Sequence, residues 1–290
     1  MTVKKSLVFI LTLVVVLSLA ACGGNKNNGN NSSSNASESP AASADNGAAE
    51  ATGKLADIKK AGKIVLGTSA EYAPYEFHKN VDGKDQIVGF DIEIAKEVAK
   101  DLGVDLEIKD MDFGNLLAEL KLGKIDFVIA GMTPDEERAK AVDFSKIYYE
   151  AKQGVLVRAA DKDKFNTMAN LEGKAIGVQM GSTQEKIAQG IKGAKLKSLG
   201  KTTDLVLELK SQKVDALIAE LPVAQGYANV NSDLFLSAIS PEYENSGSAV
   251  AVNKGEADLL AEIQKTLDHL TADKKIDQWV SEMTAVSEKE

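Results

Sequence analysis

From Lys63 onwards, short β-branched runs alternate with stretches whose apolar residues recur at helical spacing. That alternation points to parallel sheets covered by helices, an α/β fold. Lys63–Thr68 reads as a strand. Phe90–Leu102 reads as a helix with Ile92, Ala95, Val98, Ala99 and Leu102 on one stripe, ended by Gly103. Val104–Ile108 is a second strand, Asn115–Leu122 a short helix and Ile125–Ala130 a third strand. A second series begins near Gly154, with strands at Ala175–Gln179 and Ala216–Ala219 bracketing a helix at about Thr203–Gln212.

An internal echo suggests that the two series are versions of one unit. The stretch from Glu119 to Ala130 and the stretch from Glu208 to Ala219, 89 residues apart, agree at seven of twelve positions. Convergence explains this equally well, because any helix–turn–strand favours Leu, Lys, Asp and Ile. Taken at face value, Gly131–Thr133 and Glu220 sit at equivalent carboxyl ends of strands. Ligands of open α/β sheets bind outside such ends.

Residues 1–53 stand apart. Lys4 and Lys5 precede Leu7–Leu19, a stretch too short for a confident membrane span, which needs about 20 residues, and suited to the core of a secretory signal. The sequence Leu19-Ala20-Ala21-Cys22 resembles the lipobox of bacterial lipoproteins, in which the cysteine is acylated. This implies a signal over 1–21 and a protein held at the outer face of the cell membrane by a lipid such as palmitate. Asn, Ser, Ala and Gly dominate 22–53, which has too little to bury and reads as a disordered tether.

Composition narrows the chemistry. The charge of −9 lies within 54–290, because the two signal lysines offset the net −2 of the tether. An acidic chain is a poor nucleic-acid binder. With one cysteine, Cys22, and two histidines, His78 and His269, there is no intrachain disulfide and no Cys-rich metal site, and little material for a triad. In Gly131-Met132-Thr133-Pro134-Asp135-Glu136-Glu137-Arg138, Thr133 reads as an N-cap, Pro134 as the first helical residue and Glu136 as the capping-box partner. A helix start there, with Arg138 one turn in, would hold a carboxylate; ordinary helix-start acids with a surface arginine are an equal alternative. Tyr72, Tyr75, Phe77 and Phe113 are core or cleft aromatics. Glu220 directly follows a buried strand, where a charge needs a cationic partner.

The motifs from Gly67 to Phe77, Val88-Gly89-Phe90-Asp91-Ile92, Met111-Asp112-Phe113, Ala130 to Arg138 and Val142-Asp143-Phe144-Ser145 occur in order. Together they resemble the extracellular solute-binding proteins of polar amino-acid ABC importers. The resemblance covers about 60–285 and implies the two-lobed type II periplasmic-binding-protein fold, each lobe a mostly parallel sheet flanked by helices. Lobe 1 would be 54–148 plus 249–290 and lobe 2 would be 154–243, with hinge strands at 149–153 and 244–248. By the same resemblance Arg138 grips the ligand α-carboxylate. Gly131, Met132 and Thr133 touch both α-groups, and Thr183 is a carboxylate contact at a second-lobe helix start. Glu220 receives the α-ammonium, where many relatives carry Asp. Tyr72 and Phe113 are aromatic walls. Ser69 stands where some relatives use Asp to read the ligand side chain. Glu71 can supply that charge two residues on, favouring arginine or lysine, whereas Gln179 suits a neutral amide such as that of glutamine; cystine is a further neutral alternative. The resemblance implies a monomeric receptor that hands an amino acid to a membrane permease, without cofactor, metal or catalysis. A small-acid dehydratase or a signalling receptor on the same fold are the rivals.

Overall fold

The computed structural model describes residues 53–243 and 247–289. The expected signal, the lipidated Cys22 and the tether up to residue 52 lie outside the described residues, as do residues 244–246 of the second expected hinge. No helix among the described residues is long and apolar enough to cross a membrane.

The chain opens with α1 (Gly53–Ala61), β1 (Lys63–Thr68), β2 (Glu71–Tyr72) and a hairpin of β3 (Glu76–Val81) and β4 (Lys84–Val88). Then come α2 (Phe90–Leu102), β5 (Asp105–Asp110), α3 (Leu116–Lys121), β6 (Phe127–Val128) and β7 (Val142–Phe144). The second series is β8 (Gln153–Arg158), β9 (Ala175–Gln179), α4 (Thr183–Gln189), β10 (Lys195–Leu199), α5 (Thr202–Lys210), β11 (Ala216–Glu220), α6 (Leu221–Val230) and β12 (Leu234–Leu236). The chain then returns through β13 (Ala251–Asn253) and finishes with α7 (Ala257–Ala272) and α8 (Lys275–Ser287).

The strands form two five-stranded sheets, ordered β5-β1-β6-β13-β7 and β10-β9-β11-β8-β12, and β2, β3 and β4 make a separate small antiparallel sheet. In each five-stranded sheet, the first three strands are parallel and the fourth is antiparallel to the third. The sheets therefore share one topology, with β6 and β11 at the same central position. The chain passes between them after β7 and again before β13, and the two passages pair as an antiparallel bridge between Tyr149 and Ser248.

The echoed residues carry the same bonds in both lobes. The Asp126 carboxylate accepts from the Val65 N–H at 2.8 Å, and the Asp215 carboxylate accepts from the Ala175 N–H at 2.9 Å. Lys124 meets Glu119 at 2.9 Å, and Lys213 meets Glu208 at 3.0 Å. Leu120 and Leu209 are both fully buried. Each helix ends on a left-handed residue, Gly123 with φ 69° and Gln212 with φ 63°. A left-handed residue closes a helix by letting the next amides reach back to its last carbonyls. The echo is thus structural repetition, and it brings the ends of β6 and β11 to equivalent places.

Period-two patterning covers both faces of the second sheet. In β11, Ala216 and Ile218 pack in one cluster with Val155, Val178 and Ala188, while Leu217 and Ala219 pack in another with Leu205 and Leu209. Helix α2 is held by Gly103 in the left-handed conformation, whose N–H reaches Ala99 and Lys100 carbonyls. At its other end Gly89 has φ 136°, and a Cβ there would lie 2.0 Å from the Tyr75 carbonyl oxygen. Only glycine allows that approach, and it sets the position of Tyr75 beneath the interlobe crevice.

The expected helix start at Thr133 is not there. Residues 131–135 are irregular, and a single 3₁₀ turn, Arg138–Lys140, is all that forms before β7. Asp135, not Thr133, takes the capping role: its carboxylate accepts from the Arg138 N–H at 2.8 Å. With β7 beginning at Val142, the chain has no length for a helix, and three helical residues build no appreciable dipole. Any anion grip here belongs to the guanidinium itself.

Candidate functional site

Between the lobes, at the carboxyl ends of β6 and β11, lies a crevice with about 250 Å³ of empty space. The first lobe lines it with Tyr72, Phe113, Gly131, Thr133 and Arg138. The second lobe contributes Gln179, Ser182, Thr183, Gln184 and Glu220. Eight of the eleven expected site residues are therefore here. Ser69 and Glu71 instead line a neighbouring, larger hollow. Met132 is buried in the first-lobe core, and its carbonyl accepts from the Ala249 N–H at 2.9 Å.

Arg138 is 8% exposed. Its Nη1 donates to the Thr133 carbonyl at 2.6 Å, and its Nη2 reaches across to the Gly181 carbonyl at 2.8 Å. The guanidinium lies over the Phe113 ring, 5.4 Å from the centroid, so this expected ligand wall also holds the arginine. Burial lowers the Arg138 pKa and the nearby Asp135 charge opposes that shift. A guanidinium has five N–H donors; two carbonyls leave donors for an anion.

Glu220 ends β11 and is 2% exposed. Its carboxylate accepts from Tyr75 Oη, and its backbone N–H donates to Tyr72 Oη at 2.9 Å. Both tyrosines come from the opposite lobe. Burial pushes the Glu220 carboxyl up to about 8; Tyr75's hydrogen bond opposes the rise and the Asp91 charge adds to it. No cation pairs with Glu220 among the described residues, which is the arrangement expected of an acid built to meet a cationic guest.

Behind it lies a cluster of acids. Asp91 accepts from the Gly131 N–H and from Tyr148 Oη, each at 2.8 Å. The Gly131 amide is therefore held by the protein. Burial pushes Asp91 up to about 6, opposed by those same bonds. Glu76 is fully buried beside Asp91. Burial raises its pKa well above the usual range, and the neighbouring Asp91 charge adds to the rise.

In the second lobe, Thr183 is the first residue of α4, and Ser182 caps that helix by accepting from the Glu185 N–H at 3.2 Å. Gln184 donates to Gln153 at 2.8 Å. Gln179 donates to Glu71 at 3.0 Å. Asp91 and Gln184 had no assigned role in the sequence, and Tyr75 was read only as a core or cleft aromatic. Asp91 stood in a motif, but an acid in the first turn of a helix is usually solvated, and only tertiary burial makes it otherwise.

The sequence profile of the bacterial extracellular solute-binding proteins, family 3, matches residues 64–283. The chain belongs to that family. The chain is similar to the arginine-binding extracellular protein ArtP of Bacillus subtilis, 40% identical over 213 residues that span 72% of this chain and 80% of ArtP. Among solved structures of the family's fold is the amino-acid ABC transporter substrate-binding protein AbpA of Streptococcus pneumoniae bound to L-arginine. It is 38% identical, covers 81% of this chain and 99% of its own, and superposes with a TM-score of 0.79. The ancestral amino-acid-binding protein AncCDT-1, a precursor of cyclohexadienyl dehydratase, is 30% identical with a TM-score of 0.73, covering 80% of this chain and 100% of its own. As a family 3 protein the chain has the expected two-lobed type II periplasmic-binding-protein fold.

Proposed function

We propose that this protein is an extracytoplasmic receptor for a basic amino acid, L-arginine foremost, which it presents to an ABC permease. One observation carries the reading: a buried arginine of the first lobe and a buried acid of the second line one crevice. An α-amino acid carries the complementary charges. Arg138 takes the α-carboxylate, with Thr133 and Thr183 beside it, and Glu220 takes the α-ammonium. Tyr72 and Phe113 flank the aliphatic chain.

The preference for a cationic side chain rests on the surroundings. Glu76, Asp91 and Glu220 are all buried around one place, and Glu71 is near. A positive guest lowers the cost of keeping such acids out of water, and a neutral amide does not. The arginine-binding relatives support the same choice. Isothermal titration calorimetry against arginine, lysine, histidine, glutamine and cystine tests it; tightest binding by a neutral amino acid would refute the basic preference.

Bound ligand is released unchanged in this reading, although Glu220 with a pKa of about 8 would suit a general acid in a dehydratase. Mass spectrometry of ligand recovered after prolonged incubation separates the two. The proposed lipid on Cys22 is read by the intact mass of detergent-extracted protein.

The proton linkage has a definite sign. The folded-state pKa of Glu220 lies above its ordinary value of 4.5, so this group's contribution to stability is full below about pH 4.5 and is lost as pH rises through about 8. An α-ammonium placed against the carboxylate reverses the shift. Arginine binding should therefore release a proton, and its affinity should rise between pH 6 and pH 8, by up to about tenfold per unit. Calorimetry in buffers of different ionisation enthalpy measures the proton count; a buffer-independent heat at pH 7 would mean that Glu220 does not meet the ammonium.

A further inference from the structure

Besides the bond from Asn229 of α6 to Glu288 beyond α8 at 2.6 Å, two sets of side-chain contacts join the lobes on either side of the crevice. On one side, Glu71 of the first lobe reaches the start of α5 in the second. Its carboxylate accepts from the Thr202 N–H at 2.9 Å, from Gln179 Nε2 at 3.0 Å and from Thr203 Oγ1 at 3.3 Å. The first α5 amide, left without an intrahelical partner as at any helix start, is thus capped from the other lobe. On the other side, Lys186 of the second lobe meets Asp135 at 2.9 Å and Glu137 at 3.0 Å, both of the first. Asp135 is the residue that also holds the Arg138 N–H.

We infer that Glu71 and Lys186 are a pair of interlobe clasps that set how often the receptor is closed, whatever occupies the crevice. The geometry has three features that fit this role. The contacts flank the crevice on both sides. They have opposite polarity, an acid reaching one way and a cation the other. Every bond in them requires the lobes to touch. A receptor whose binding-competent form is only partly populated shows an affinity reduced by that fraction. The clasps therefore strengthen binding of any ligand by the same factor without touching it. Glu71 is a positioning residue in this arrangement, not a reader of the ligand side chain.

Hydrogen exchange of the full chain, followed by mass spectrometry without any ligand, is the test, so that it stands apart from the arginine reading. In the double variant Glu71→Ala, Lys186→Met, peptides containing Thr202 and residues 179–186 should exchange at least about tenfold faster than in the parent, because local opening becomes more populated. The radius of gyration from small-angle scattering should rise. Lys186→Met alone, at a partly exposed position, should give a smaller change of the same kind and carries little folding risk. Saturating arginine should return both readouts to parental values, which also shows that the variant folds. Unchanged exchange and an unchanged radius in the ligand-free variants would overturn the proposal. So would a loss of affinity confined to arginine and absent for its uncharged analogue citrulline, because a clasp weakens both equally.

Discussion

Replacing Glu220 with Gln should stabilise the ligand-free protein and nearly abolish binding. The carboxylate is buried with a pKa of about 8, and its only side-chain hydrogen bond among the described residues comes from Tyr75. Gln keeps the shape and an acceptor for the phenol and removes the desolvated charge. At pH 8.5 the melting temperature should rise by roughly 5 °C, and at pH 5, where the acid is already neutral, it should hardly move. The ligand ammonium would then face an amide. Losing one partner of a buried charge pair costs about 2–5 kcal/mol, so arginine affinity should fall at least about thirtyfold. Differential scanning calorimetry and titration calorimetry read the two effects. A variant that loses stability at pH 8.5, or keeps its affinity, would show that Glu220 belongs to the fold and not to the ligand.

The second large effect is expected at the other grip. Arg138→Ala should weaken arginine binding by at least about thirtyfold, again from the cost of leaving a buried carboxylate unpaired. The substitution also removes bonds to the Thr133 and Gly181 carbonyls, so part of any loss could come from altered lobe contact. Agmatine, which lacks the α-carboxylate, separates the two causes. If Arg138 meets that carboxylate, the substitution costs agmatine much less affinity than it costs arginine. Arg138→Lys should recover little, because an ammonium cannot reproduce the planar fork. Equal losses for arginine and agmatine would place Arg138 in the lobe interface alone.

Regular elements governed by local pattern were legible in the sequence. The ranges of β1, α2 and β9 agree residue for residue with the pattern of β-branched runs and apolar stripe, and Gly103 closes α2 as its type predicts. The echo around Lys124-Ile125-Asp126 and Lys213-Val214-Asp215 also translated directly, because the same Asp serves the same neighbouring amide in each lobe. The 76–88 hairpin went unread although its signal is present: Asp82 and Gly83 have φ 53° and 78°, both positive as a tight two-residue turn requires. Helix signals at Thr133 and Glu136 were misleading, because the start of β7 leaves only three residues for helix.

Part of the crevice was legible because its ionic residues stand where charge is locally anomalous. Glu220 follows four buried apolar residues and is itself buried. Tyr75 and Asp91 gave no such sign. A tyrosine beside proline and an acid in a first helical turn are ordinary until the Gly89 approach and the Gly131 amide bury them. Glu71 shows the limit from the other direction. Its type suggested a ligand contact, whereas its bonds run to α5 and Gln179, a destination fixed only when the lobes meet.

A crystal structure with L-arginine tests the two-sided grip most directly. The α-carboxylate should lie within hydrogen-bond reach of Arg138 from the first lobe, and the α-ammonium within reach of the Glu220 carboxylate from the second. Arginine seated instead in the hollow beyond Glu71, or with its α-groups on other residues, would contradict it.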